Sequence, residues 1–167
     1  MRASFVWRAI AFAVVFATFQ LGWQATRGTS LQRFVVHDVT LQVAAVLANR
    51  LTPGLKAQAV EYSLRAPGGG LNIVNGCEGT ETLFTLWAAF TIAPLAWRLR
   101  LLGMLAGTVV VFAVNEARIL TLFYAYRADH RLFDLLHGSV TPIVLILIVL
   151  AFFYAWLTVA NRSSEPA

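Results

Sequence analysis

Long apolar runs separated by short polar stretches dominate this chain of 167 residues. Three apolar runs, residues 82–97, 101–126 and 139–160, are predicted to be membrane-spanning helices, and residues 9–23 form a further, slightly short run. Residues 27–76 differ from these runs because they hold most of the scattered polar and charged side chains. The pattern therefore predicts an all-α polytopic membrane protein with about four transmembrane helices and one polar insertion.

The first apolar run follows two basic residues, Arg2 and Arg8. A charged start followed by a short apolar centre suits either a secretory signal peptide or an uncleaved signal anchor. No Ala-x-Ala cleavage pattern follows the run, and bulky residues around Trp23 occupy that place. We therefore expect residues 1–26 to be an uncleaved transmembrane anchor.

The polar insertion, residues 27–76, predicts a small extracytoplasmic region of one helix and one β-hairpin. Residues 31–51 mix apolar and polar positions as an amphipathic helix does, and Thr52-Pro53-Gly54 is typical of a helix end. Residues 59–64 and 71–75 alternate between apolar and polar side chains, and a Pro-Gly-Gly-Gly turn separates them. This hairpin would lead directly into Cys77.

Composition excludes an ordinary soluble domain, because 59% of the residues are hydrophobic, 13% are charged and the mean hydropathy is +0.70. The net charge of +5 comes mostly from single, scattered arginines, so we predict contact with the lipid bilayer and no nucleic-acid partner. If the N-terminus is cytoplasmic, arginines mark the cytoplasmic ends of the spans and residues 163–167 form a cytoplasmic tail. Cys77, Arg118 and His137 then share the extracytoplasmic side.

Cys77 is the only cysteine, so no intramolecular disulfide or multi-cysteine zinc site is possible. It stands in the segment Asn75-Gly76-Cys77-Glu78-Gly79, where the polar insertion meets the next apolar run. The positive end of a helix dipole stabilises a thiolate at this place, whereas Glu78 and Glu81 disfavour it. The alternative is a cysteine that acts only as a small, inert hydrophobic residue.

Arg118 lies inside the predicted third span, where a charge usually faces the bundle interior or a wet cavity. Snorkelling to the headgroups or neutralisation by Glu116 are the alternatives, and Asn115 is expected to hold the guanidinium from the preceding turn. His137 would open the last span, with His130 as a competitor. A thiolate–imidazolium pair beside a cation is the arrangement that cysteine acyl transfer requires. We predict no cofactor and no metal site.

Three blocks of sequence resemble the signature motifs of the exosortase/archaeosortase family. They are Gly76-Cys77-Glu78-Gly79, Asn115-Glu116-Ala117-Arg118-Ile119 and Phe133-Asp134-Leu135-Leu136-His137. The resemblance covers about residues 71–160, and Glu78 departs from it, since many members have Ser or Asn after the cysteine. It implies a sortase-like membrane transpeptidase whose presumed catalytic residues are Cys77, Arg118 and His137, carried by a three-helix catalytic core at 77–162.

The resemblance also implies a substrate and a location. The substrate would be an exported protein with a C-terminal sorting signal, made of a short motif, a transmembrane helix and a basic cluster. Cleavage through a cysteine thioester would occur at the extracytoplasmic face of a bacterial inner membrane. The alternative function is a non-catalytic membrane scaffold or a subunit of a secretion or polysaccharide-export complex, in which Cys77 would be inert.

Overall fold

The computed structural model describes residues 2–73 and 77–162, with side chains described for residues 5–73 and 77–160. This part of the chain is mainly helical and contains one small sheet. The helices are α1 Arg2–Ala25, α2 Ser30–Arg33, α3 Gln42–Leu51, α4 Thr80–Ile92, α5 Trp97–Ala128, α6 His130–Leu135 and α7 Thr141–Arg162. Two π-helical segments, Phe34–Leu41 and Leu136–Val140, join α2 to α3 and α6 to α7 without a break.

Within residues 2–73 and 77–162, four helical segments are long and apolar enough to cross a membrane: Phe5–Ala25, Ser30–Leu51, Trp97–Ala128 and His130–Ala160. The predicted number of such helices is confirmed, but the set differs, because Ser30–Leu51 belongs to it and the predicted span over 82–97 does not. Helix α4 has only 13 residues, about 20 Å of rise against a hydrocarbon core of about 30 Å. It ends before Pro94, which lacks a backbone N–H and disfavours a helical conformation at Ala93.

The apolar runs 101–126 and 139–160 predict a short polar connection between them, and this prediction is wrong, since residues 127–137 are helical except near Asp129. Helix α5 runs through to Ala128 and spans 32 residues. The Asp129 carboxylate then accepts a hydrogen bond of 2.8 Å from the backbone N–H of Arg131 and caps α6. His137 consequently lies inside the second π-helical segment rather than at the start of a helix.

The predicted two-stranded hairpin is a three-stranded antiparallel sheet of order β1-β2-β3, with β1 Gln58–Val60, β2 Ser63–Ala66 and β3 Gly69–Asn72. The chain reverses after β1 because Glu61 adopts a positive φ of 52°, which splits the first predicted strand in two. Pro67 and Gly68 form the second turn, and Gly68 has the positive φ of 86° that favours glycine. Of the second predicted strand, residues 74 and 75 lie outside the described residues.

The chain divides into two compact units. The aromatic unit consists of residues 2–25, 80–111 and 145–162, and Phe90 packs in its core against Phe152, Phe153 and Trp156 with ring centroids 5.0–6.4 Å apart. A second ring cluster in this unit joins Phe19 to Phe84 and Trp87. These rings stack in offset or edge-to-face geometry, the favourable arrangements for aromatic pairs.

The cysteine unit consists of residues 26–73, 77–79 and 112–144. Its core contains fully buried side chains from the helix 30–51, from the sheet and from the second half of α5, among them Leu41, Leu64, Ile119 and Phe123. The Tyr124 hydroxyl donates to the Ala48 carbonyl oxygen at 3.3 Å and lies 2.9 Å from the Thr52 hydroxyl. These contacts join α5 to the end of α3, within the unit that contains Cys77.

Candidate active site around Cys77

Cys77 lies three residues before the first helical residue of α4 and is only 8% exposed. The three-residue segment from Cys77 to Gly79 turns sharply, with Gly79 at a φ of +80°. A residue with a side chain rarely adopts this backbone conformation, so glycine favours the turn. The local sequence therefore places the thiol in a buried turn rather than within a regular helix.

The Cys77 thiol contacts the His137 imidazole, with Sγ and Nε2 3.4 Å apart, within hydrogen-bonding range for sulfur. The Phe133 ring stacks on one face of the His137 ring, at a centroid distance of 5.2 Å and an interplanar angle of 17°. Nucleophile and base are thus adjacent, and the stacking fixes the plane of the base. This is the pairing that activates a cysteine for attack on a carbonyl group.

The π-helical segment Leu136–Val140 holds His137 on a turn wider than an α-helical one. Thr141 stabilises the wide turn, because its hydroxyl donates to the Leu136 carbonyl oxygen, five residues back, at 2.9 Å. Single π-helical turns often occur at functional sites. His130, the competing histidine, stacks on Tyr126 at 4.6 Å, and its Nδ1 lies 3.1 Å from the Tyr126 carbonyl oxygen.

Asn115 holds the backbone of the Cys77 turn. Its Nδ2 donates to the Cys77 carbonyl oxygen at 3.2 Å, and the asparagine is 2% exposed. A Cβ added to Gly79 would lie only 2.9 Å from Asn115 Cγ, so the close fit requires glycine. The expectation that Asn115 binds the Arg118 guanidinium is wrong: its Nδ2 bonds Cys77, and its Oδ1 has no hydrogen-bond partner in residues 5–73 or 77–160.

Arg118 is tied to the helix that carries His137. Its Nε donates to the Thr141 hydroxyl at 3.2 Å, and Thr141 follows His137 by four residues. Among the residues that the structure describes, Arg118 forms no ion pair with Glu116, and its two terminal nitrogens donate no hydrogen bond. Thr141 was missed by sequence reasoning, and its only signal was a hydroxyl at helical spacing after His137.

These contacts link the site residues into one closed ring of interactions within the cysteine unit. Asn115 and Arg118 lie three residues apart on one face of α5, and each bonds a different part of the site. Asn115 holds Cys77, Arg118 holds Thr141, and the Cys77–His137 contact completes the ring. Of the three predicted site residues, the structure brings Cys77 and His137 into direct contact and links Arg118 to the turn that follows His137.

The acidic residues near these blocks have different surroundings. Glu78 is half-buried, Asp134 is exposed, and Glu81 accepts a hydrogen bond from Gln20 Nε2 at 3.2 Å. Glu116 is 3% exposed, and neither of its carboxylate oxygens has a hydrogen-bond partner among the described side chains and backbone. A buried carboxyl group without a partner is unfavourable for folding. Across residues 2–73 and 77–162, no three or more His, Cys, Asp or Glu side chains are grouped as a metal site would require.

Comparisons with protein-family models, with curated proteins and with solved structures found no match to this chain. The chemistry of the site is therefore inferred from its residues and from their geometry. Cys77 and His137 lie 60 positions apart in the sequence, so their contact results from the tertiary fold and not from local backbone geometry.

Proposed function

We propose that this protein is a membrane-embedded, sortase-like cysteine transpeptidase or protease, a member of the exosortase/archaeosortase type. The single observation that carries the proposal is the 3.4 Å contact between Cys77 Sγ and His137 Nε2. A thiol and an imidazole in contact form the minimal apparatus for acyl transfer through a thioester. The hydrogen bonds of Asn115 and Arg118 support it further, because they fix the positions of both partners.

In the first step, His137 accepts the thiol proton and the Cys77 thiolate attacks the carbonyl carbon of a peptide bond. A carbon–sulfur bond forms, and the carbonyl oxygen carries the negative charge of the tetrahedral intermediate. Arg118 supplies the positive charge that stabilises this oxyanion, since its terminal nitrogens donate no hydrogen bond within the described residues. The Thr141 hydroxyl holds Nε of the guanidinium and so limits its orientation.

In the second step, the intermediate collapses and the carbon–nitrogen bond breaks. His137, now an imidazolium, gives its proton to the departing amine, and a thioester on Cys77 remains. An acceptor amine or a water molecule then attacks the thioester carbonyl and transfers its proton to His137. The carbon–sulfur bond breaks, the acyl group leaves on the acceptor, and His137 returns the proton to the Cys77 thiolate, so the enzyme regains its starting state.

We further propose that the substrate is an exported protein with a C-terminal sorting signal, cleaved at the extracytoplasmic face of a bacterial inner membrane. The four membrane-capable helices support a location in the bilayer. The resemblance of the three sequence blocks supports the signal of short motif, hydrophobic helix and basic cluster. A substrate anchored by its own helix would reach Cys77 by lateral movement in the same membrane.

The test is to trap the thioester. Membranes are quenched in acid and digested, and the Cys77 peptide is examined by mass spectrometry for an attached acyl peptide that hydroxylamine releases. We expect this adduct with the natural sequence and with the control His130→Ala. Cys77→Ala removes the attachment point, and His137→Ala lowers the yield by at least about 10³-fold, while both variants accumulate in membranes.

Thiol labelling separates the enzyme from the non-catalytic scaffold. For the enzyme, a membrane-impermeant maleimide modifies Cys77 at neutral pH, because the thiolate is the reactive form, and His137→Ala slows the modification. For the scaffold, the thiol reacts slowly and His137→Ala leaves the rate unchanged. Normal processing of the substrate protein in the Cys77→Ala variant would overturn the proposed mechanism.

A further inference from the structure

We propose that the outer edge of β3 binds the substrate polypeptide as an added β-strand and so presents it to Cys77. The inference rests on the proposed function, because it assigns the substrate-binding surface of that site. Strand β3, Gly69–Asn72, is an edge strand of the sheet β1-β2-β3, and Cys77 follows Ile73 by four positions, with three residues between them. Four residue steps span at most about 14 Å, so Ile73, which directly follows β3, lies within about that distance of Cys77.

The strand register shows which backbone groups face outward. The Ile73 N–H donates to the carbonyl oxygen of Tyr62, the residue before β2, at 2.8 Å. The backbone groups of Ile73 therefore face inward, toward β2. In an antiparallel pair, residues alternate between inward and outward pairing. Leu71 and Gly69 therefore also pair inward, and Gly70 and Asn72 direct their N–H and C=O groups to the outer edge.

This edge is open in the part of the chain that the structure describes. No residue within 2–73 or 77–162 forms a hydrogen bond with the outward N–H or C=O groups of Gly70 and Asn72. Beside them is an open cleft of about 370 Å³, lined by Arg65, Ala66, Gly69, Gly70 and Asn72. A side chain at Gly70 would not fit, since a Cβ there would lie 2.9 Å from the Leu64 carbonyl oxygen.

An extended peptide is the occupant that matches this surface. Two outward N–H and C=O pairs, separated by one residue, have the spacing that a paired β-strand satisfies at both positions. Two positively charged side chains lie beside this edge and favour a peptide without positive charge. Exposed Arg65 lies opposite Gly70, and Arg127 donates to the Gly69 carbonyl oxygen at 3.4 Å. We therefore expect the bound segment to be acidic or uncharged here, and not basic.

The test compares three variants by their yield of the Cys77 adduct. Asn72→Pro removes one outward N–H without touching the bonds between β2 and β3, and we expect about tenfold less adduct. Asn72→Ala removes only the side chain, which accepts a hydrogen bond from Ser63, and keeps the outward N–H, so its yield is the reference with which Asn72→Pro is compared. Ala59→Pro is the control on the opposite edge of the sheet. The backbone groups of Leu64, the register partner of Ala59, bond to β3, so the N–H of Ala59 faces outward and its loss leaves the bonds between β1 and β2 intact.

A second measurement acts on the substrate and does not depend on how the variants fold. A synthetic peptide copies the sequence recovered from the Cys77 adduct and carries one backbone N-methyl group at successive positions. We expect loss of adduct at alternate positions, because only every second N–H of an added strand faces β3. The recovered sequence itself also tests the expected acidic or uncharged character.

The two proposals fail in different ways. If the natural protein forms the adduct but Asn72→Pro equals Asn72→Ala and N-methylation shows no alternation, the edge does not bind the substrate and the proposed function stands. A recovered segment that is basic would also overturn the inference. If the natural protein forms no adduct, the proposed function fails and the inference fails with it.

Discussion

The contacts around Phe90 in the aromatic unit differ in kind from those around Cys77 in the cysteine unit. In the aromatic unit, Phe90 is surrounded by three rings, and glycines at 103 and 107 let helices approach closely. In the cysteine unit, side-chain hydrogen bonds join distant segments, as Asn115 joins Cys77 and Arg118 joins Thr141. The difference predicts that the first unit is sensitive to side-chain volume and the second to the loss of particular donors.

Among the variants that compare the two units, Arg118→Lys in the cysteine unit has the largest expected effect. A lysine keeps the charge but carries it on one nitrogen, so it cannot donate to Thr141 and also present two separate terminal nitrogens in the planar geometry of a guanidinium. Loss of an oxyanion donor lowers the rate by about 10²–10³-fold. We expect a decrease of this size in the rate of Cys77 thioester formation, measured by quenched mass spectrometry, with normal accumulation of the protein.

The matched control lies in the aromatic unit. Arg100 also binds through hydrogen bonds, since its Nη2 donates to the carbonyl oxygens of Ala93 and Leu95 at 3.0 and 3.3 Å. Arg100→Lys should change the thioester rate by less than about twofold, because this arginine belongs to a different unit from Cys77. Equal decreases in both variants would show that the arginines act only through folding and that Arg118 has no role in the chemistry.

Gly103→Ala in the aromatic unit is expected to have a smaller effect, and to lower the stability of the protein rather than the reaction rate of Cys77. A Cβ at this position would lie 2.5 Å from Phe90 Cε1 and 2.8 Å from Trp156 Nε1. Such overpacking lowers the free energy of unfolding by about 1–3 kcal/mol. We expect a lower midpoint of thermal unfolding in detergent, measured by circular dichroism, with the alkylation rate of Cys77 unchanged in the protein that stays folded.

Gly22→Ala is the control for this substitution. Gly22 also lies in a helix of the aromatic unit, but no atom outside its chain neighbours and its own helix backbone lies within 4 Å of an added Cβ. Alanine favours a helix over glycine by about 1 kcal/mol, so the midpoint should stay or rise. If Gly103→Ala also raised the midpoint, close packing at Gly103 would not limit the stability of this unit.

Part of this architecture follows from local sequence and part does not. The apolar runs predict the long helices, because burial or lipid contact of a whole helix leaves a signal at every position. The end of α4 was missed, although Pro94 marks it, because hydropathy alone continues to Trp97. The third strand was missed because alternation of side chains continues through Glu61 and Tyr62, whereas the reversal depends on a backbone angle.

In the candidate site, too, some residues can be predicted from the local sequence and others cannot. Cys77, Arg118 and His137 are recognisable because their residue types are unusual at their positions in an apolar chain. Their partners are not, since the bond from Asn115 to the Cys77 carbonyl oxygen and the bond from Arg118 to Thr141 depend on how distant segments pack. Helical spacing alone predicts that Asn115 binds Arg118, but the Cys77 turn packs against Asn115, whose side-chain amide donates to the Cys77 carbonyl oxygen instead.

The smallest expected effect is that of Asn115→Asp, which separates positioning from folding. Aspartate has the shape of asparagine but donates no hydrogen bond when ionised, so the Cys77 carbonyl oxygen loses its donor. The new negative charge also disfavours a thiolate nearby. We expect the rate of Cys77 alkylation at neutral pH to decrease about tenfold, roughly the effect of one lost hydrogen bond. Time-resolved maleimide labelling with mass spectrometry measures this rate.

Asn49→Asp provides the comparison, because Asn49 makes the same kind of bond in the same unit. Its Nδ2 donates to the Ala57 carbonyl oxygen and its Oδ1 accepts from the Ala57 N–H, both at 2.8 Å. This variant should lose about 1 kcal/mol of stability and keep the natural alkylation rate, since it touches neither Cys77 nor His137. If both substitutions slowed alkylation equally, Asn115 would only support the fold, and the hydrogen bonds of the cysteine unit would not be specific to the thiol.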